Sequence, residues 1–245
     1  MRVAALYDVH GNLPALEAVL RELRDVQVDE IVVGGDVVPG PMPRETLARL
    51  LELDLPLHFI VGNGEVAVLE ELAGRKSAVP EQFRGIIRWS GEQLTRAQQD
   101  LLGQWPRTLR LAIDSLGEVL FCHATPRNEN EIFTRLTPPD QILPAFANAD
   151  ADIVVCGHTH MQFDRKIGDI RVVNAGSVGM PYGQPGAYWL LLGPTVEFRR
   201  TRYDLDAAAA RIRASSYPQA QQFAEDDLLH PRSEEEILKL FSPQA

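Results

Sequence analysis

Short apolar runs and helical spacing alternate through the first part of the chain. Three apolar runs predict strands at residues 3–7, 31–33 and 57–61. Between them, leucine and valine recur every three or four residues from Leu13 onward, and a similar stretch covers residues 43–53. This spacing predicts two amphipathic helices. The βαβαβ order predicts parallel strands joined by right-handed crossovers.

The pattern changes after residue 63. Residues 64–106 are predicted to form a mostly helical excursion, in which Thr95 and Gln98 have the spacing of a capping box. Later strands are predicted at residues 109–113, 119–122, 153–156, 163–167, 170–173, 188–192 and 196–200, with one helix at 139–147. A helical, acidic tail is expected from about residue 204. We expect the late strands to be antiparallel. The whole pattern predicts a single α/β domain over residues 1–245, in which two mixed β-sheets pack together and helices flank them.

Composition narrows the class of protein. The 245 residues are 45% hydrophobic and 24% charged, as in ordinary globular proteins, and no apolar run reaches the length of a membrane span. The first residues resemble a strand rather than a signal peptide, so a cytoplasmic location is expected. The net charge of −10 argues against non-specific binding of nucleic acid. Cys122 and Cys156 are expected to be buried thiols, with metal ligation as the alternative.

Polar residues follow five of the predicted strands and suggest a metal centre. The motifs are Asp8-Val9-His10, Gly35-Asp36, Gly62-Asn63, His123 and Gly157-His158-Thr159-His160. They supply two carboxylates, one amide and four of the six histidines of the chain. Since ligands of open α/β sheets bind at the carboxyl ends of the strands, these side chains should converge on one edge. Mixed nitrogen and oxygen ligands suit Mn²⁺, Fe²⁺, Zn²⁺, Co²⁺ or Ni²⁺ better than Mg²⁺.

This ordered set resembles the calcineurin-like metallophosphoesterase superfamily, whose pattern is D-x-H, G-D, G-N-H-[D/E], H and G-H-x-H. The similarity is greatest to its compact bacterial and archaeal phosphodiesterase branch, which also has a segment similar to residues 174–179. The resemblance implies a four-layer metallophosphoesterase fold and two divalent ions, with manganese as the expected metal. It also implies that a metal-bridging hydroxide attacks a small phosphoester or nucleotide, most readily a phosphodiester.

The resemblance also assigns the ligands of each metal. One ion would be held by Asp8, His10, Asp36 and His160, and the other by Asp36, Asn63, His123 and His158. The resemblance gives a catalytic role to Asp36, Asn63 and His123. The sequence makes no prediction about the oligomeric state.

Gly64 departs from the family pattern, because most members have a histidine at this position. That histidine would stabilise the transition state or protonate the leaving oxygen, a role that typically contributes about 10²–10⁴-fold to the rate. The departure predicts weak activity on esters with poor leaving groups. It also leaves an alternative open, a non-enzymatic protein-binding scaffold on the same fold.

Several residues outside the five motifs keep two interpretations. Asn12 is either a helix cap or a contact for phosphate. Arg127 either lies at the surface or binds an anionic substrate. Trp89 and Trp105 either line a substrate pocket or pack in the core. Asn174 and Ser177 either orient the metal ligands from behind or belong to a plain turn. His58 and His230 are expected to be structural or solvent-exposed, and the acidic tail is expected to be a solvated face.

Overall fold

The computed structural model describes residues 1–75 and 79–241, so part of the predicted excursion and the last four residues of the predicted domain lie outside the described residues. Its strands are β1 (Val3–Leu6), β2 (Glu30–Val33), β3 (Leu57–Phe59), β4 (Thr108–Ile113), β5 (Gly117–Cys122), β6 (Ile153–Cys156), β7 (Phe163–Ile167), β8 (Ile170–Asn174), β9 (Ala187–Leu192) and β10 (Val196–Thr201). Its helices are α1 (Leu13–Val26), α2 (Pro43–Leu51), α3 (Asn63–Leu72), α4 (Glu81–Gln93), α5 (Arg96–Leu102), α6 (Pro139–Phe146), α7 (Leu205–Arg213), α8 (Ala220–Gln222) and α9 (Glu234–Phe241), and a π-helical turn at Phe223–Leu229 continues α8.

The strands form two five-stranded mixed sheets, which confirms the predicted fold class. The first sheet has the order β10-β9-β1-β2-β3, and β1, β2 and β3 are parallel as predicted. The second has the order β4-β5-β6-β8-β7.

The expectation of antiparallel strands in the second half was wrong in part. Strands β5 and β6 are parallel, because α6 carries the chain back before β6 begins. Strands β6 and β8 are also parallel, because the chain returns between them through β7, the edge strand antiparallel to β8. Strands β9 and β10 return to the first sheet, where β9 pairs with β1.

Side chains of β1 alternate between two cores, as the two-residue period of a strand requires. Ala4 and Leu6 pack on the side of the sheet that is covered by α1 and α2. Val3, Ala5 and Tyr7 point between the two sheets, against side chains such as Phe121 and Val155. On the far side of the second sheet, a separate cluster includes residues of α6. The layers are therefore helix, sheet, sheet and helix.

Local sequence features fix several helix ends. Asn12 caps α1, since its side chain accepts a hydrogen bond from the Ala15 backbone. Thr95 and Gln98 form the predicted capping box at the start of α5. Helix α2 ends at Leu51, two residues before its predicted end. Strand β3 is also shorter than predicted, because the Val61 amide donates to the Pro106 carbonyl and not to β2.

The C-terminal tail packs against the body of the protein. Ala209, Ile212 and Phe223 share a buried cluster with Leu13 of α1, and Ile237 of α9 packs near Met161. The acidic side chains of the tail are exposed or half-buried, as predicted, while apolar residues between them are buried against the rest of the protein. No helix within the two described ranges is long and apolar enough to cross a membrane.

Candidate metal centre

The loops after five strands bring the seven predicted ligands to one edge of the two sheets. Five of these residues have a positive φ, although none is glycine: Asp8 (53°), His10 (46°), Asp36 (52°), His158 (66°) and His160 (56°). The left-handed region is costly for residues with a Cβ, and such strain concentrates at functional sites. The sharp turns aim successive side chains back toward the same point.

Asp8, His10 and His160 form the first group of close ligand atoms. The Nε2 atoms of His10 and His160 lie 3.2 Å apart. Asp8 Oδ1 lies 3.3 Å from Nε2 of His160 and 3.9 Å from Nε2 of His10. These distances suit three ligands that face one cation.

Asp8, Asp36 and His123 form the second group. Nε2 of His123 lies 3.5 Å from Asp36 Oδ1 and 3.8 Å from Asp8 Oδ1. The side-chain oxygen of Asn63 lies 2.9 Å from the same nitrogen. The other oxygen of Asp36, Oδ2, faces His10 Nε2 at 3.7 Å. Asp36 thus lies between the two groups, as expected of a carboxylate that both groups share. Asp8 also belongs to both groups, and the sequence did not predict this.

His158 lies just outside these two groups. Its ring meets the His123 ring edge to face, with centroids 5.2 Å apart, and its Nε2 is buried without a hydrogen-bond partner among the described residues. Its backbone nitrogen donates to Asp8 Oδ2 at 2.9 Å. Asp8 Oδ1 is likewise buried without a hydrogen bond. Two buried polar atoms therefore lack the partner that such atoms normally have.

Backbone carbonyl groups fix the orientations of three of the imidazole rings. Nδ1 of His10, His123 and His160 contacts the carbonyl oxygens of Pro39, Gly34 and Met180, at 3.3, 2.9 and 2.7 Å respectively. Because a carbonyl only accepts, each Nδ1 carries the proton and each Nε2 directs a lone pair toward the centre. Lone pairs 3.2 Å apart need a positive charge between them, either a proton or a metal ion. The donor set therefore fits divalent metal ions.

The pKa shifts describe a site of negative potential. Burial opposes ionisation of Asp8, but His160 and His123 outweigh it and hold the pKa of Asp8 well below its ordinary value. Burial also lowers the pKa values of His123 and His160, but the carboxylates Asp36 and Asp8 reverse that effect and raise both. His158 behaves differently, since burial and the neighbouring His123 lower its pKa to about 4. The centre attracts cations, and His158 offers it a neutral imidazole.

Comparison with known proteins identifies the family. A model of the calcineurin-like phosphoesterase superfamily domain matches residues 1–193. The chain belongs to this superfamily. Enzymes of this family depend on divalent metals, which agrees with the two groups of ligand atoms.

Individual relatives agree with the family assignment. An uncharacterized protein of Methanocaldococcus jannaschii is 27% identical over 239 residues, covering 89% of this chain and 94% of the relative. The crystal structure of a metallophosphoesterase from Sphaerobacter thermophilus has a TM-score of 0.66 and 27% identity, covering 87% of this chain and 93% of that one. A hypothetical protein from Pyrococcus horikoshii OT3 has a TM-score of 0.79 and 20% identity, covering 95% and 99%, and shows the same fold.

The structure leaves no room for a side chain at Gly64. A Cβ atom at Gly64 would lie 2.3 Å from the Val38 carbonyl oxygen and 2.8 Å from Pro39 Cδ. The Gly64 amide donates to Asp36 Oδ1 at 2.7 Å. The loop after β2 fills the space that a side chain at position 64 would need. The protein therefore lacks the family histidine and also the room for one.

Glu65 ties the two metal-binding loops together, a role that the sequence analysis did not assign. Its fully buried carboxylate accepts hydrogen bonds from the backbone amides of Asp36, Val37, Val38 and Gly62. Burial, with the nearby Asp36 carboxylate, raises the pKa of Glu65 to about 7 against the effect of these amides. Glu65 follows Gly62 at capping-box spacing, and that spacing was the available sequence signal.

Asn174 and Ser177 hold the loops that carry the metal ligands in place, as the functional interpretation of these two residues requires. The Asn174 amide donates to the Gly157 carbonyl at 2.6 Å and to Thr159 Oγ1 at 3.2 Å. The Ser177 hydroxyl donates to the Asp8 carbonyl at 2.7 Å. Both residues are fully buried, and they fix the backbone that carries the ligands.

Other candidates have structural roles. Besides capping α1, Asn12 donates to the Gly179 carbonyl at 2.8 Å. Arg127 is exposed and pairs with Glu131. Trp105 is buried and stacks on Phe59.

The remaining candidates are divided between the surface and the interior. Trp89 lines a cavity of 380 Å³ beside α2 and α7. His58 pairs with Glu30 at 2.8 Å, and His230 is exposed. Cys122 and Cys156 are buried free thiols and belong to neither group of close ligand atoms.

Proposed function

We propose that this protein is a dimetal phosphoester hydrolase that acts on phosphodiesters. The observation that carries the proposal is the convergence of four imidazoles and two carboxylates around Asp8 Oδ1 and His158 Nε2, two buried atoms that have no hydrogen-bond partner in the described part of the chain. Membership of the calcineurin-like phosphoesterase superfamily supports the same chemistry.

The residues of the centre would share two divalent ions, with Mn²⁺ as the proposed metal. Asp8, His10, Asp36 and His160 would hold one, and Asp36, Asn63, His123 and His158 the other. When bound, such a pair of ions offsets charge on a phosphate and activates water as a nucleophile. The chain itself keeps the imidazole lone pairs inward, through the three backbone carbonyls behind them.

The leaving group receives no proton from position 64. Gly64 has no side chain, and the Val38 carbonyl prevents another residue from taking its place without a shift of the loop. We therefore propose that good substrates are small phosphodiesters whose leaving alcohol departs as an anion without protonation. Reactions that depend on a positioned acid should be slower by a factor on the order of 10²–10⁴.

The first test is hydrolysis of bis-p-nitrophenyl phosphate with added Mn²⁺, whose leaving group needs little protonation. Asp36→Asn should abolish turnover, because it removes the negative charge shared by both groups of ligands. Asp25→Asn is the matched control, since Asp25 is an exposed residue of α1. Equal turnover in the Asp36 variant and the parent would refute the proposal.

A protein-binding scaffold on the same fold is the second candidate, and Gly64 is the observation that favours it. The two candidates differ in one result. A scaffold would bind metal but would hydrolyse neither aryl nor alkyl diesters at any metal concentration. A phosphodiesterase would hydrolyse the aryl diester in proportion to its metal content.

A further inference from the structure

A cleft of 220 Å³ opens beside the proposed metal centre. One wall is the loop that carries Met180 and Tyr182. The Tyr182 ring stacks on the His160 ring, with centroids 5.6 Å apart and an angle of 23° between the planes. The Met180 carbonyl accepts the hydrogen bond from His160 Nδ1. The wall of the cleft is thus in direct contact with a proposed metal ligand.

The rest of the lining comes from the C-terminal tail. It includes Asp227, Arg232 and the buried side chain of Ile237. These residues lie beyond residues 1–193, the part that matches the family model. The cleft therefore combines a loop of the shared fold with a segment that the family model does not contain, as expected of a feature that sets substrate preference.

The charges of the cleft favour a cation. The Asp227 carboxylate is largely buried, and it makes no side-chain hydrogen bond or ion pair with any residue that the structure describes. Asp226 adds a second carboxylate, while Arg232 is exposed and supplies a single positive charge. Burial, with Asp226, raises the pKa of Asp227 to about 6, so that the carboxylate is ionised above neutral pH. His160 and Arg232 act in the opposite direction.

The size of the cleft limits its occupant. Pockets that enclose a drug-sized ligand measure roughly 300–1,000 Å³, and this cleft is smaller. A second phosphate there would face two carboxylates. A small amine or quaternary ammonium would pair with the unpartnered carboxylate of Asp227, and aromatic rings such as Tyr182 also attract such groups.

We infer that this cleft is the subsite for one alcohol substituent of the phosphodiester, and that it accepts a small amino alcohol whose cationic group pairs with Asp227. The inference rests on the proposed function, which supplies the phosphoester chemistry. The other ester bond is the one that is broken, so the cationic group sets affinity and orientation but takes no part in bond cleavage.

The test compares two p-nitrophenyl phosphodiesters that release the same chromophore. One carries choline, and the other carries 3,3-dimethylbutanol, in which carbon replaces the charged nitrogen. At pH 8 with Mn²⁺, we expect kcat/KM to favour the choline ester by about fivefold, the upper end of the range for a partly exposed ion pair. Asp227→Asn should bring the ratio of the two values close to one.

Glu225→Gln is the matched control for this variant. Glu225 lies two residues away, pairs with Arg213 and does not line the cleft, so its removal should leave the ratio unchanged. The ratio in the parent should also fall as the pH drops through about 6, because Asp227 becomes protonated. A parent ratio of one or less, or a ratio that survives in a folded Asp227→Asn protein, would overturn the inference.

A binding measurement tests the subsite even if the proposed hydrolase activity is wrong. If the parent hydrolyses neither ester, calorimetry with phosphocholine and 3,3-dimethylbutyl phosphate in the presence of Mn²⁺ still measures the subsite. Tighter binding of phosphocholine that is lost in Asp227→Asn would support the subsite while the hydrolase proposal fails. Equal binding of both compounds would overturn the subsite as well.

Discussion

Replacing Gly64 by alanine should destabilise the protein and disturb the metal centre. The added Cβ would lie 2.3 Å from the Val38 carbonyl oxygen, 2.8 Å from Pro39 Cδ and 2.9 Å from Asp36 Oδ1. The first of these is a backbone atom, so the collision is relieved only if the loop after β2 moves. Gly64 does not have a positive φ, and the expected effect is therefore steric.

The magnitude follows from two opposing contributions. Overpacking of a tight site costs about 1–3 kcal/mol, while alanine in a helix is about 0.5–1 kcal/mol better than glycine. We expect a net loss of about 1–2 kcal/mol, which for a chain of this length lowers Tm by about 2–8 °C. Because the Gly64 amide holds Asp36 Oδ1, movement of the loop should also weaken Mn²⁺ binding by about 10–100-fold.

Thermal unfolding and Mn²⁺ titration check this prediction, with Gly85→Ala as the matched control. Gly85 lies inside α4, and a Cβ there would meet no atom of residues 1–75 or 79–241 within 4 Å. The control should gain about 0.5–1 kcal/mol and bind Mn²⁺ normally. If Gly64→Ala matched the control in Tm and metal affinity, the steric argument would be refuted. The same collision predicts that Gly64→His does not restore a catalytic histidine.

Two further predictions concern stability. Mn²⁺ at about 100 times its Kd should stabilise the folded protein by about 2.7 kcal/mol, because it binds the folded site, where Asp8 Oδ1 and His158 Nε2 gain a partner. A chelator should reverse the rise in Tm. An unchanged Tm would count against the metal centre. Asp227 has a pKa raised to about 6, so its charged form destabilises the fold at higher pH. Asp227→Asn should therefore raise the free energy of unfolding by about 1 kcal/mol at pH 8 and leave it unchanged at pH 4, a difference that denaturant titration at the two pH values can test.

The sequence by itself determined the elements and the composition of the site. Strand and helix periodicity, the Asn12 cap and the Thr95–Gln98 capping box depend on residues that are close in the chain. The motifs follow strands, and the carboxyl ends of parallel strands share an edge, so their convergence was predictable. These features could be inferred because each depends on local spacing or on a general rule of sheet topology.

Only the tertiary structure decided how distant segments meet. The pairing of β9 with β1, the closure of Gly64 by Val38 and the position of Asp227 beside Tyr182 all join residues far apart in the chain or in separate loops. The four backbone amides that bind Glu65 likewise come from two loops. Such contacts depend on which surfaces the whole chain can bury at once, and local periodicity carries no information about that choice.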